Sequence, residues 1–131
     1  MRYLPVRLHP NQDLRQALEA LLAQEQVSAA FIVSGIGSLS TAMIRFAGQS
    51  DATALHGDFE LLTLAGSLSP DGAHLHITIA DAQGRVIGGH VTPGCIIRTT
   101  AEILLALLPD HQFTREPDTT SGCNELVIRP T

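Results

Sequence analysis

The sequence has no lysine and no tryptophan, a single tyrosine and only two cysteines. All eight cations are arginines, scattered from Arg2 to Arg129 against thirteen carboxylates, for a formal net charge of -5. Nucleic-acid binding draws most of its non-specific affinity from Lys and Arg gathered against phosphate, so this pattern disfavours direct DNA binding. Cys95 and Cys123 form no CxxC pair. That excludes the common zinc-finger and redox spacings and leaves two thiols in a reducing compartment as the expectation. No run approaches the roughly 18 apolar residues that a membrane span needs, and the opening MRYLPVRLHPNQD lacks the apolar core of a secretion signal. A soluble, cytoplasmic protein with no membrane contact is expected.

What is present suits one folded domain over 1–131. The chain is 44% hydrophobic, enough for a real core, and too short for two comfortable domains. Residues 2–9 alternate as a first strand. NQDLRQALEALLAQEQ then changes period, with Leu14, Ala17, Leu18, Leu21 and Leu22 at helical spacing, and Arg15, Gln16, Glu19 and Gln24 left for solvent. Asn11 is the expected N-cap, with Asp13 in the positive first turn. SAAFIVSGIGSL reads as a strand closing on glycines and TAMIRFAG as another. GIGS lacks the full GxGxxG pattern and opens no helix, so a turn or a close backbone approach is expected there, not a nucleotide loop. GQSDATALHGD reads as a loop and FELLTLAGSLS as a strand. HLHITIAD and RVIGGHV follow, then CIIRTTAEILLALL, a strand in its first half with the second half open between strand and helix. A last strand runs from Asn124 to Arg129. The fold class is α+β: a mainly antiparallel or mixed closed sheet of seven or eight strands with a covering helix.

The chemistry concentrates in GAHLHITIADAQGRVIGGHV. On a strand His74 and His76 share one face, with Leu75, Ile77 and Ile79 on the other. If Ala82, Gln83 and Gly84 form a three-residue loop with Gly84 left-handed, Asp81 pairs with Arg85 and His76 falls opposite His90. Opposed residues carry their Cβ atoms about 4.5 to 5.5 Å apart, so three imidazoles can then converge on one ion. A two-residue turn would instead throw His90 to the other face. The alternative is that His74 and His76 are solvent-side residues of a half-buried strand. Gly88 and Gly89 weaken a strand and mark a bulge or a close approach. Three histidines would hold zinc or another divalent transition metal and leave one position for water or a ligand.

Other candidates are carboxylates and a thiol. Asp58 and Glu60 would share a strand face opposite Phe59 and Leu61, where either could orient a ligand histidine or carry a proton. Glu102 stands among apolar neighbours, suited to a pocket or a subunit contact. Glu60 and Glu102 are the candidate catalytic residues. Cys95, five residues beyond His90, is either near the site or a buried inert thiol. His56 falls in or beside a loop, and His9 and His111 are read as surface residues.

The segments SGIGSLSTAMIRF, LHGDFELLTLAGSLS, GAHLHITIADAQGRVIGGHVTPGCIIRTTAEILL and TSGCNEL resemble, in order, those of the PPC domain found in plants and prokaryotes. The resemblance covers nearly the whole chain. It implies a stand-alone prokaryotic member with a compact domain, assembly as a homotrimer, and a metal held by His74, His76 and His90. In plant proteins of the family an AT-hook beside this domain contacts DNA, which makes a DNA-binding regulator one alternative. This chain carries no Arg-Gly-Arg-Pro core, and Asp58 replaces the arginine of the plant pattern. The fold also resembles that of a zinc-dependent acetolactate decarboxylase, which makes a zinc enzyme the other alternative. A regulatory or small-ligand-binding homotrimer, with a protein or small molecule as partner, is the leading expectation.

Overall fold

The computed structural model describes residues 1–131. The chain runs β1 (Arg2–Leu8), α1 (Leu14–Gln24), β2 (Ala30–Arg45), β3 (Thr53–Ser69), β4 (Gly72–Ala80), β5 (Val86–Val91), β6 (Ile96–Leu107), β7 (His111–Pro117) and β8 (Asn124–Pro130). This is the expected α+β architecture, with eight strands and one helix. Six strands form one sheet in the order β1-β6-β2-β3-β4-β5, and β7 and β8 form a separate ribbon. Every pairing is antiparallel. The far end of β2 also pairs with β5, Ile44 opposite Val91 and Arg45 opposite His90, so the sheet closes on itself.

Closure depends on a backbone contact that the sequence marks with glycine. A Cβ on Gly89 would lie 2.7 Å from the carbonyl oxygen of Arg45. Only a residue without a side chain lets β2 and β5 come so near. The close approach expected at Gly88 and Gly89 is therefore a seam, with no register shift between β4 and β5.

The core lies inside the closed sheet, and α1 covers it. Leu14, Leu18 and Leu22 are buried against Leu39, Ile44, Leu61, Leu75, Ile77 and Ile79 among others. The helix thus buries the stripe that its periodicity announced. Its start differs from expectation. Asp13, not Asn11, is the N-cap, accepting from the Gln16 amide at 3.0 Å and from the Gly94 amide at 2.7 Å. Asn11 adopts a positive φ of 72° and donates its amide to Ile97. Arg15 and Glu19 also leave the solvent face assigned to them. They pair with each other at 2.9 Å, and Arg15 donates to the Val91 carbonyl while Glu19 accepts from the Ala73 amide.

Two segment assignments change and one open segment is decided. The two strands read around SGIGS are one continuous β2, irregular where it pairs β6 but unbroken, because both neighbours supply backbone partners along its length. Most of the expected loop 48–58 belongs to β3, which starts at Thr53 and pairs with the end of β2. The open half of CIIRTTAEILLALL is strand, since β1 and β2 flank β6 and take its backbone groups. His111 opens β7 and is exposed, as expected of a surface residue.

Candidate metal centre

The three histidines are brought together by a hairpin whose geometry starts at its loop. Gly84 has φ 79°, the left-handed conformation that a three-residue hairpin loop requires. Asp81 donates its amide to the Arg85 carbonyl and accepts from the Gly84 amide, both at 2.9 Å. Its carboxylate also accepts from the amides of Gln83 and Arg85 and from the Arg85 guanidinium. Those bonds, the Arg85 amide first, hold the Asp81 carboxyl below its ordinary range. With the loop fixed, Ala80 pairs with Val86 and His76 with His90.

Strand alternation then does the rest. Leu75, Ile77 and Ile79 point into the core with at most 3% exposure, and His74 and His76 stand on the opposite face. The ring centroids are 5.0 Å apart for His74 and His76, 5.1 Å for His74 and His90, and 4.5 Å for His76 and His90. One ring nitrogen from each lies within 4.8 Å of the others. Neutral imidazole nitrogens at about 2.0 to 2.1 Å from zinc are the usual ligands of such a site, and the donor set suits a divalent transition metal. Burial first, then Arg115, keeps the His74 ring deprotonated to lower pH than a free imidazole; burial first, then Arg45, does the same for His90. A neutral ring is the form that binds metal.

The histidines border an open cavity of about 580 Å³ whose other charged lining residues are Arg15, Arg45, Arg115, Asp71 and Glu125. Each arrives from a different element. Arg45 ends β2 directly across from His90. Arg115 and Glu125 come from the β7–β8 ribbon, which is anchored where the Arg115 amide donates to Asp71 and its guanidinium to Ser67, both at 2.8 Å. Ser67 is the β3 residue paired with His74. Cys123 also borders the cavity. None of these residues was singled out for the site from the sequence. Their convergence depends on sheet closure and on where the ribbon docks, neither of which leaves a periodic signature.

The expected carboxylates lie elsewhere. Asp58 and Glu60 do share the exposed face opposite buried Phe59 and Leu61. Asp58 pairs with Arg98 of β6 at 3.3 Å. Glu60 and Glu102 meet at a second cavity of about 530 Å³, with Ile36, Leu62, Arg98 and Thr100 around it and no histidine. Cys95 is fully buried, its sulfur facing the Met43 backbone and its pKa pushed up by burial. Both thiols are unpaired. His56 lies 3.4 Å from the Thr41 hydroxyl, and His9 is exposed.

Residues 1–109 match the Plants and Prokaryotes Conserved (PCC) domain. The chain is 50% identical over 130 residues to the bifunctional protein GlmU of Synechococcus sp. (strain JA-2-3B'a(2-13)), covering 99% of this chain but 21% of that protein. It thus spans about a fifth of the length of that curated relative. A hypothetical protein from Salmonella superposes with a TM-score of 0.96 at 41% identity, covering 98% of this chain and 94% of the other. A metal-containing protein from Archaeoglobus fulgidus superposes with a TM-score of 0.81 at 24% identity, covering 97% and 94%, and shares the fold. With the family match over residues 1–109 and the shared fold in agreement, the chain belongs to the Plants and Prokaryotes Conserved (PCC) domain family.

Proposed function

We propose that this domain binds a divalent transition metal, zinc first, through His74, His76 and His90, and that it serves as a small-ligand-binding or regulatory module in the cytoplasm. The observation that carries the reading is the convergence of three ring nitrogens within 4.8 Å at the wall of a polar cavity. Three imidazoles would leave a tetrahedral ion one open position, and the cavity that the histidines border is large enough for a small molecule. Two unpaired thiols support a reducing compartment. The test is equilibrium dialysis of metal-free protein against zinc. One ion per chain is expected, and His90→Ala should lose it while keeping its far-ultraviolet circular dichroism; no bound zinc in the native chain would end the proposal.

Binding is favoured over catalysis because Glu60 and Glu102, the candidate proton carriers, border a cavity without metal ligands. We further propose self-association as a homotrimer. Val33, Ile36 and Leu62 are 51%, 53% and 42% exposed on β2 and β3, and large apolar side chains at this exposure suit a covered face. Light scattering should give three times the 14.0 kDa chain mass, and Ile36→Arg should lower it.

A further inference from the structure

The metal reading leaves the arginines unexplained. Five of the eight form ion pairs within the chain: Arg2, Arg15, Arg85, Arg98 and Arg129. Arg7, Arg45 and Arg115 do not, and two of these three border the histidine cavity. In a chain with an excess of carboxylates, leaving two cations without an ion pair beside each other's site runs against the overall charge balance. Both are also half-buried, so water screens them less than it would a surface arginine.

Each guanidinium spends little of its donor capacity on the protein. Arg45 donates from Nη1 to the Gln49 carbonyl at 3.1 Å, and Arg115 from Nη2 to the Ser67 hydroxyl at 2.8 Å. A guanidinium carries five N–H donors in a planar fork that matches carboxylate and phosphate oxygens. The third arginine, Arg15, is neutralised by Glu19. Asp71 and Glu125 match Arg45 and Arg115 in number on the cavity lining, so a divalent ion on the histidines would add positive charge that the lining itself does not offset. The hydrophobic residues on the lining, Ala73, Val91 and Cys123, are outnumbered by polar and charged ones, which suits a ligand that carries a polar group.

We propose that this cavity binds a small oxyanion, a carboxylate or phosphate group, shared between the metal held by His74, His76 and His90 and the guanidiniums of Arg45 and Arg115. This rests on the metal reading above. The open metal position takes one oxygen, and the two arginines, reaching in from β2 and from the β7–β8 ribbon, take the others. Arg45 is the cross-strand partner of His90, one of the three histidines that would hold the metal.

The test is calorimetric titration of inorganic phosphate and of succinate into the zinc-loaded protein, with zinc content measured separately on every sample. At least one of the two should bind one per chain, and the stronger of them names the oxyanion class. Arg45→Gln and Arg115→Gln should each weaken it about tenfold, the loss expected for one charge-assisted hydrogen-bonded contact, with zinc content unchanged. Arg45→Lys keeps the charge and loses the fork, and should weaken binding while leaving the circular dichroism unaltered. Removing zinc from the native chain, a comparison that needs no variant, should weaken it to a similar degree. Full zinc content with no binding of either anion, or with binding unchanged in both arginine variants, would overturn the inference and leave the metal site standing. Absence of zinc binding would overturn the metal reading first.

Discussion

At the scale of single residues, the site is three imidazoles and a loop carboxylate that fixes where they fall. His76→Ala should abolish zinc retention yet change the melting temperature of the metal-free protein little, because His76 is exposed on the outer face of β4. Leu75→Ala is its complement. That side chain is 1% exposed beneath the histidine pair, and its truncation should cost about 2 to 5 kcal/mol by chemical denaturation. The pair of variants separates metal loss from fold loss. The histidine set was legible in the sequence for a specific reason: strand alternation and loop length are local rules, so three numbers along one hairpin determine the register. Arg45, Arg115 and Glu125 were not legible, because Arg45 reaches the cavity through the β2–β5 closure and Arg115 and Glu125 through a ribbon with its own pairing. Glu60 and Glu102 were legible as a pair of odd carboxylates. Their meeting at another cavity shows that a suggestive residue type carries no address.

At the scale of elements, the hairpin and the ribbon each make a claim of their own. Asp81→Ala removes the acceptor for two amides and one guanidinium in the β4–β5 loop. It should lower the melting temperature by a few degrees and weaken zinc binding through looser register, although Asp81 touches no metal ligand. Gly89→Val places carbon against the Arg45 carbonyl at the seam and should cost about 1 to 3 kcal/mol while shifting His90. On the ribbon, hydrogen bonds from Arg129 and Thr114 hold the Glu116 carboxyl down to about 2, against an ordinary value of 4.5. A carboxyl depressed on folding stabilises the native state above its ordinary pKa and loses that contribution as pH falls toward the folded value. Thermal melts of Glu116→Gln should therefore lie below those of the native chain near neutral pH and converge with them as pH drops from about 4.5 to 2. The helix was legible from its leucine stripe, but its cap was not. Asn11 and Asp13 both suit a cap by type, and the choice was made by Gly94, whose amide binds the Asp13 carboxylate from a remote loop. The length of β2 was illegible for a similar reason: glycines that usually end a strand are tolerated where neighbours on both sides hold the backbone.

At the scale of the whole molecule, composition and topology point the same way. In this acidic chain five of the eight arginines are held in ion pairs, whereas a DNA backbone needs unpaired cations gathered along one face. Duplex DNA should show no salt-sensitive binding in fluorescence anisotropy; a steep fall of affinity with salt would favour the DNA-binding alternative instead. The β2–β5 pairing curls the sheet around a core of 24 residues that one short helix covers, and leaves β1 as the open edge. It also explains how residues from β2, β4, β5 and the ribbon come to one cavity. The central claim is that this cavity is organised around a metal. It is tested most directly by crystals of the protein grown with zinc and measured on both sides of the zinc absorption edge. One anomalous peak at about 2.0 to 2.1 Å from a ring nitrogen of His74, His76 and His90 is the predicted result. Well-ordered rings with no anomalous peak between them would contradict it.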